Sequence, residues 1–235
     1  MSTKPRIRVG TDSFADLLLS SNVFVDKSMF IQEFLEESGG KVILLARPRR
    51  WGKSLNMDML RCFLTIEVDD QGVPIPQEQS LNHKLFAGGE VVIGSQTGKV
   101  KQLAPLKIAQ QCPDLISDYQ GQYPVISLGL KDVRGSSYQE IEEGVKKQIT
   151  QLYIEHRYLK QYAQAEASLL EDSQKEQLQR YFKDTLSQKD LKDSLRFLSE
   201  LLYKHFGKPV YVLIDEYDTP HQQCLSSIQR QTKRV

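Results

Sequence analysis

The sequence predicts an α/β fold, with a mostly parallel sheet flanked by helices. Three apolar runs, at residues 41–46, 123–130 and 210–214, have the length and composition of strands that are buried on both faces. Segments with apolar residues at helical spacing lie between these runs. Because strands that alternate with amphipathic helices build parallel sheets, this order predicts one α/β layer.

Two strand–helix pairs open the chain. NVFVD, residues 22–26, is typical of a short strand, and residues 27–40 predict a helix that ends at two glycines. KVILLA, residues 41–46, predicts a buried strand, which leads through a Gly-Lys-Ser tripeptide into a second helix. The apolar face of that helix is formed by Leu55, Met59, Leu60 and Phe63.

Residues 65–123 are the least regular part of the sequence. Turn-forming residues are frequent there, and only short elements are indicated, at EVVIG (90–94) and LKIAQQ (106–111). The stretch 87–118 is interpreted as a surface excursion.

The remaining sequence returns to strong patterns. YPVISLGL, residues 123–130, predicts a second buried strand, and a long helix follows it. The apolar face of that helix is formed by Ile141, Val145, Ile149, Leu152, His156 and Leu159. Two more helices are predicted at residues 169–186 and 191–206, the second of which ends at Gly207. VYVLIDEYD, residues 210–218, predicts the third strand.

The bulk composition argues against several classes of protein. The 31 basic residues balance 30 acidic ones, and a net charge of +1 indicates neither a nucleic-acid-binding nor a membrane-surface protein. The basic N-terminus precedes no apolar signal segment, and the longest aliphatic run, residues 42–46, is too short to span a bilayer. We therefore expect a cytoplasmic protein with no membrane partner.

The cysteines and histidines lack the spacing of a metal site. Buried thiols, rather than a disulfide framework or a zinc site, are predicted at the widely spaced Cys62, Cys112 and Cys224. Structural or solvent-facing roles are predicted for the scattered His83, His156, His205 and His221.

A phosphate-binding loop is indicated by RPRRWGKS, residues 47–54. The full pattern is G-x-x-x-x-G-K-[ST], in which the glycines let backbone N–H groups close around phosphates. In this loop Gly52 lies where only backbone fits, Lys53 would contact the β and γ phosphates, and Ser54 would bind magnesium. The first glycine is replaced by Arg47, and Pro48 favours extended backbone before it, so the loop must begin differently.

Arginines surround the proposed phosphate position. Arg47, Arg49 and Arg50 could bind phosphate oxygens through paired hydrogen bonds, which makes Arg49 and Arg50 candidate cofactor-binding residues. The tripeptide alone is a weak signal, because Gly-Lys-Ser arises by chance in roughly one chain in ten at average composition.

An acidic pair follows the third strand. Ligands of open parallel sheets bind at the carboxyl ends of the strands, where Asp215 and Glu216 lie. Asp215 would hold magnesium directly or through water, and Glu216 would polarise the attacking water as a general base. An isolated Asp-Glu pair is more often a solvated strand end. The pair and the loop together, each after its own apolar strand, favour a nucleotide site.

Four segments carry a family resemblance: VFVDKSMFIQEFL, LLARPRRWGKSLNMDMLRCFL, YPVISLGLKDV and KPVYVLIDEYDTP. Together, over residues 8–220, they resemble the AAA-ATPase-like domain family, whose P-loop NTPase domains have an RPRR-x-GKS loop and an LIDEYDTP strand. Members of that family also lack the first loop glycine, so Arg47 fits the family pattern.

The resemblance implies a role for each residue of the two motifs. It implies ATP phosphate contacts at Gly52, Lys53 and Ser54, and magnesium at Ser54 and Asp215. It implies catalytic roles for Lys53 and Glu216.

Three further positions match the family without a clear chemical role. Trp51 stands where the family usually has phenylalanine, and we expect it to pack at the strand–helix corner. Asp26 and Lys27 match the N-terminal motif, and we expect them to form an ion pair or cap a helix.

The resemblance also implies a further strand, which follows the acidic strand in sequence and lies between the loop strand and the acidic strand in the sheet. Only 15 residues follow Pro220, and none of them predicts a strand. We therefore expect a P-loop NTPase domain at residues 8–220 that is incomplete at its C-terminus, with an unstructured or replaced tail at 221–235. An unfilled position in the sheet should make folding marginal or dependent on a partner.

The leading functional hypothesis is an ATP-binding protein that uses magnesium and ATP hydrolysis to drive a conformational change. The alternative is a non-hydrolysing nucleotide-binding or interaction module. A nuclease function is indicated only by domains that other family members carry after this one. A kinase function would need a site for the substrate that accepts the phosphate, and the sequence indicates none. An arginine finger from a neighbouring subunit would imply a homo-oligomer, although a loop arginine could act in cis.

Overall fold

The computed structural model describes residues 10–21, 23–37, 42–46, 51–93, 98–164, 170–183 and 185–219. The chain divides into two compact units. Unit 1 consists of Met1–Val68 and Pro74–Tyr123, and unit 2 consists of Asp69–Val73 and Pro124–Val235. Both units combine helices with a small two-stranded sheet, so the chain has a mixed α/β structure.

Unit 1 contains short helices and a β-hairpin. Its helices are α1 (Phe14–Ser20), α2 (Phe30–Glu37), α3 (Lys53–Leu64), α4 (Leu81–Ala87), α5 (Lys107–Gln111) and α6 (Pro113–Asp118). The hairpin pairs β1 (Gly89–Ile93) with β2 (Lys99–Leu103) in antiparallel register. The helix predicted before the loop and the helix predicted after it are both confirmed, as α2 and α3.

The core of unit 1 is aromatic. Phe14 of α1 stacks on Phe86 of α4 with 5.2 Å between the ring centroids, and Phe63 of α3 meets Phe86 edge-on at 5.1 Å. All three side chains are essentially buried. Because Phe86 contacts both of the other rings, α4 holds α1 and α3 in one cluster.

The interpretation of residues 87–118 as a surface excursion is wrong. Val91, Leu103 and Ile108 are all buried in the core of unit 1. The ammonium group of Lys101 also donates hydrogen bonds to Leu18 O at 2.6 Å and Ser21 O at 3.0 Å, where α1 ends. The hairpin therefore buries one face and satisfies carbonyl groups at the end of a helix.

Two predicted strands of unit 1, at residues 22–26 and 41–46, are not formed by those of their residues that the structure describes. Neither residues 23–26 nor residues 42–46 belong to a strand, and Val25, Val42 and Leu44 are 71%, 88% and 67% exposed. An apolar run becomes a buried strand only when neighbouring strands pair with it, and none of the strands described for this chain does so. The apolar composition of residues 42–46 therefore predicted a burial that these five residues do not have.

Asp26 caps a helix that is distant in sequence. Its carboxylate accepts hydrogen bonds from the N–H groups of Ser28 and Lys107, both at 2.8 Å. The hydroxyl of Ser28 accepts from Ile108 N at 3.1 Å. Two N–H groups in the first turn of α5 are thereby satisfied by the segment before α2, which confirms the capping role expected at Asp26.

Unit 2 contains long helices and a parallel strand pair. The strands are β3 (Val125–Gly129) and β4 (Tyr211–Asp215), paired from Val125 with Tyr211 to Gly129 with Asp215. Its α-helices are α7 (Tyr138–Glu155), α8 (Asp172–Lys183) and α9 (Gln188–Phe206), and a 3-10 helix covers Arg157–Ala163. These elements confirm the second and third predicted strands and the three predicted helices, with α7 ending at Glu155 rather than continuing to Leu159.

Two stacked tyrosines fix the helices of unit 2. The rings of Tyr153 and Tyr181 are parallel with centroids 4.1 Å apart. The Tyr153 hydroxyl donates to Ser194 O at 2.9 Å, and the Tyr181 hydroxyl donates to Asp190 O at 2.6 Å. Rings from α7 and α8 therefore both bind the backbone of α9 in a buried cluster.

The turn at residues 69–73 belongs to unit 2 because side chains hold it there. His205 Nε2 donates to Gly72 O at 2.9 Å, and the Tyr162 hydroxyl lies 2.7 Å from His205 Nδ1. Gly72 has φ of +86°, and a Cβ there would lie 2.6 Å from the ring of Tyr158. Both the backbone conformation and the close aromatic ring require glycine at this position.

The predicted parallel sheet is smaller than expected. β3 and β4 form a parallel pair, but no other strand in the described part of the chain pairs with β4. Val212 and Ile214 of β4 are 42% and 38% exposed, which a fully covered central strand would not allow.

Candidate functional site

The loop before α3 turns through a left-handed glycine. Gly52 has φ of 77° and ψ of 24°, and its carbonyl accepts the first helical hydrogen bond from Asn56 N at 2.9 Å. A side chain is disfavoured at positive φ, although an added Cβ would meet no described atom within 4 Å. Glycine is therefore required at this position by the backbone turn and not by crowding.

The first turn of α3 has the features of an anion-binding helix end. Lys53 and Ser54 are its first two residues and both are half-buried. The N-cap residue, Gly52, has no side chain that could cap this N-terminus, and no acidic residue lies in the first turn. The positive end of the helix dipole is therefore not offset by an acidic side chain of that turn, which favours an anion such as phosphate there.

The body of α3 is anchored in unit 1. Asp58 accepts a hydrogen bond from Phe14 N at 2.7 Å and forms an ion pair with Arg61 at 2.7 Å. Met59, Leu60 and Phe63 are buried. Because the C-terminal two-thirds of the helix is fixed by packing and by α1, its N-terminal residues have a defined position.

Trp51 does not pack at the corner of the loop, contrary to expectation. Its side chain is 61% exposed, directly before Gly52. The left-handed glycine that follows it turns the chain into α3. Since it is the one tryptophan of the sequence, it provides a fluorescent probe beside Lys53.

The acidic pair lies at the carboxyl end of β4, as predicted. Asp215 is the last strand residue, and its Oδ1 accepts from the backbone N–H of Glu216 at 2.9 Å. Glu216 has φ of 53°, and the Thr219 hydroxyl donates to its Oε2 at 3.2 Å. Both carboxylates are half-buried, so a bound cation or water could still reach them.

A comparison with models of known protein families shows to which family the chain belongs. The family model described as "Predicted AAA-ATPase" matches residues 8–74 and 97–235. The chain belongs to this AAA-ATPase-like family. Neither a curated protein nor a solved structure matches it.

The matched segments leave out residues 75–96 of this AAA-ATPase-like chain. These residues include α4 and β1, whose Leu85, Phe86 and Val91 are buried. The part outside the family match is therefore integral to the core of unit 1.

The two halves of the predicted site are each assembled locally. In the AAA-ATPase-like chain, Gly52, Lys53 and Ser54 come together in unit 1, and Asp215 and Glu216 come together in unit 2. Arg49 and Arg50, together with Arg47, lie outside the described residues.

The predicted buried thiol is confirmed at Cys62, whereas Cys112 is half-buried. Within the described ranges, no group of three or more His, Cys, Asp or Glu side chains is placed to hold a metal. His83 Nδ1 donates to Gln120 Oε1 at 2.9 Å, and burial lowers the pKa of His156 to about 4. Burial raises the pKa of the Cys62 thiol to about 12, which makes it an inert core residue. His221 and Cys224 lie outside the described residues.

The same ranges contain no helix that is long and apolar enough to cross a bilayer.

Sequence reasoning missed Asp58 and Thr219. Asp58 lies on α3 beyond the loop motif, and nothing in the sequence connects it with the backbone of Phe14. Thr219 lies three residues after Glu216, a spacing typical of a turn in which one side chain returns to another. That spacing was the feature of the sequence from which the contact between Thr219 and Glu216 could have been predicted.

Proposed function

We propose that this chain binds ATP with magnesium and hydrolyses the γ phosphate. The observation that carries the proposal is the start of α3, where Lys53 and Ser54 follow the left-handed Gly52 and no acidic residue lies in the first turn. This arrangement presents N–H groups, an ammonium group and a hydroxyl to a phosphate chain. Membership of the AAA-ATPase-like family supports the same assignment.

The residues of α3 account for nucleotide binding. The N–H groups of the first turn bind phosphate oxygens, and Lys53 neutralises charge on the β and γ phosphates. The Ser54 hydroxyl and the Asp215 carboxylate are oxygen ligands of the kind that magnesium prefers. When bound there, magnesium would supply positive charge that offsets the charge of the phosphate oxygens.

Glu216 accounts for hydrolysis. Its carboxylate accepts a proton from water as the water oxygen bonds to the γ phosphorus. The bond between that phosphorus and the bridging oxygen of ADP breaks in the same step, so ATP and water yield ADP and inorganic phosphate. The proton then passes from Glu216 to solvent or to the released phosphate.

A second candidate is a module that binds nucleotide without turnover and serves a partner. It is favoured by β4, which pairs in the described chain with β3 alone and exposes Val212 and Ile214. An open apolar edge of this kind suits association with another strand or chain. A homo-oligomer in which a loop arginine acts on a neighbouring subunit belongs instead to the hydrolysis proposal, because such an arginine stabilises the transition state.

The test separates binding from turnover in the full chain. Phosphate release with magnesium is measured for the wild type, Lys53→Ala and Glu216→Gln, and binding is followed by the emission of Trp51. We expect Lys53→Ala to weaken binding at least about tenfold, because the phosphate charge is no longer offset. We expect Glu216→Gln to lower kcat about a hundredfold or more, as for loss of a general base, while binding stays intact.

The matched control variants remove an ammonium group and a carboxylate away from the proposed site. Lys99→Ala and Glu90→Gln change exposed side chains of the hairpin and should leave both measurements unchanged. Saturable binding without phosphate release would favour the non-hydrolysing module. No change of Trp51 emission or of thermal stability with magnesium ATP would remove both candidates.

A further inference from the structure

Glu216 has an unusual backbone conformation for its residue type. Of the residues that the structure describes, it is the one non-glycine residue with positive φ, at 53°. L-residues rarely adopt this left-handed region, and it persists where surrounding contacts hold it. The contacts that hold Glu216 therefore decide where its carboxylate lies.

Thr219 forms hydrogen bonds with both the backbone and the side chain of Glu216. Its backbone N–H donates to Glu216 O at 3.0 Å, and its hydroxyl donates to Glu216 Oε2 at 3.2 Å. On the other side, the N–H of Glu216 donates to Asp215 Oδ1 at 2.9 Å. The main chain and the side chain of Glu216 are thus tied to the same short turn.

The hydroxyl contact selects one carboxylate oxygen. An ionised carboxylate only accepts hydrogen bonds, so the threonine hydroxyl must be the donor. With Oε2 engaged, the rotation of the carboxylate is restricted, and Oε1 is held in one position as a proton acceptor for water. A general base is effective only when the accepting atom is within hydrogen-bond reach of that water.

We propose that Thr219 is a positioning residue for Glu216, which it orients through its hydroxyl group. The inference rests on the proposed function, because it assigns to Glu216 the removal of a proton from water. Thr219 itself touches neither the nucleotide nor the water in this proposal. Its effect should therefore appear in kcat and not in nucleotide binding.

The decisive variant is Thr219→Val in the full chain. Valine keeps the branched shape and the backbone N–H, and it lacks only the hydroxyl. We expect kcat for ATP to fall about tenfold to a hundredfold, as for a misplaced catalytic group, while KM and the Trp51-detected affinity stay within about twofold. Thr219→Ser restores a hydroxyl and should return kcat to within about threefold of the wild type. Thr219→Ala, a second variant without the hydroxyl, should reproduce the fall.

A double-mutant cycle distinguishes positioning from a structural role. Adding Thr219→Val to Glu216→Gln should change the residual rate by less than about twofold, because no carboxylate remains to be oriented. Tyr217→Phe removes an exposed hydroxyl from the same turn and serves as the matched control, with an unchanged rate expected.

The outcomes separate this inference from the function on which it rests. A wild type that hydrolyses ATP and a Thr219→Val variant with the same kcat would overturn the role of Thr219 alone. An equal loss in the Glu216→Gln background would also overturn it, since the effect would not act through Glu216. Absence of hydrolysis by the wild type would overturn the proposed hydrolysis and this inference with it.

Discussion

Asp190 organises the junction between α8 and α9. Its carboxylate accepts from Arg180 at 2.8 and 3.1 Å, and it closes a capping box with Ser187 at the start of α9. The residue is 2% exposed, so these bonds replace water almost completely. The Arg180 guanidinium, together with the Ser187 hydrogen bonds, lowers the pKa of Asp190 to about 2.

Removing this charge should destabilise unit 2. We expect Asp190→Asn to lower the free energy of unfolding by about 2 kcal/mol at neutral pH, in the range of hydrogen bonds to charged groups. The matched control is Asp193→Asn on the same helix, whose pair with Arg196 is exposed and should contribute less than about 1 kcal/mol. Urea unfolding followed by circular dichroism measures both, and equal effects would contradict the prediction.

The same carboxylate predicts a pH dependence with a definite sign. A carboxyl group with a folded pKa of about 2 and an ordinary value of 3.8 binds fewer protons when folded. Its stabilising contribution is therefore complete above the ordinary value and is lost as pH falls towards 2. The difference in stability between wild type and Asp190→Asn should shrink across that window, and a difference that grows would contradict it.

The residues of the proposed site differ in how far the sequence indicates them. Gly52, Lys53 and Asp215 are proposed from motifs in which chemistry fixes the residue type and the spacing, and their roles stay predictions. The backbone conformation of Glu216 and its bond to Thr219 do not, because they depend on how a short turn closes. The exposure of Trp51 was mispredicted for the same reason: residue size predicts burial only when neighbours surround it.

At the scale of elements, α4 lies outside the family match yet contributes to the core. We expect Phe86→Ala to lower the stability of unit 1 by about 3–5 kcal/mol, because it removes a buried ring that contacts Phe14 and Phe63. Leu81→Ala, at a partly exposed position on the same helix, should cost about 1 kcal/mol or less. Denaturant unfolding compares the two, and similar small effects would show that α4 is dispensable.

Elements with long or well-bounded patterns were predicted correctly. α7 and α9 have enough turns for a helical period to be read, and β3 and β4 each follow a proline that limits the apolar run. The seven-residue α4 offers too few positions for a period to be recognised. Residues 42–46 carry the composition of a strand, but composition cannot supply the partner that a strand requires.

At the scale of the molecule, the sequence indicated the α/β class and the family but overstated the sheet. The described residues form two two-stranded sheets, one of which is an antiparallel hairpin. Local patterns predict which residues favour strands, whereas sheet size depends on pairing between segments that are distant in sequence. The β3–β4 pair joins residues more than eighty positions apart, and the sequence indicated both strands without indicating their register.

Nucleotide binding should be visible as stabilisation of the whole chain. A ligand that binds only the folded state, at about 100 times its Kd, adds about 2.7 kcal/mol to the free energy of unfolding. For a protein of this size, such a gain raises Tm by about 5–10 °C. We expect this shift with magnesium ATP for the wild type and for Lys99→Ala, whose lysine is exposed on β2. Lys53→Ala should lose it, because the phosphate charge is no longer neutralised, and an unchanged shift in Lys53→Ala would place the nucleotide away from α3.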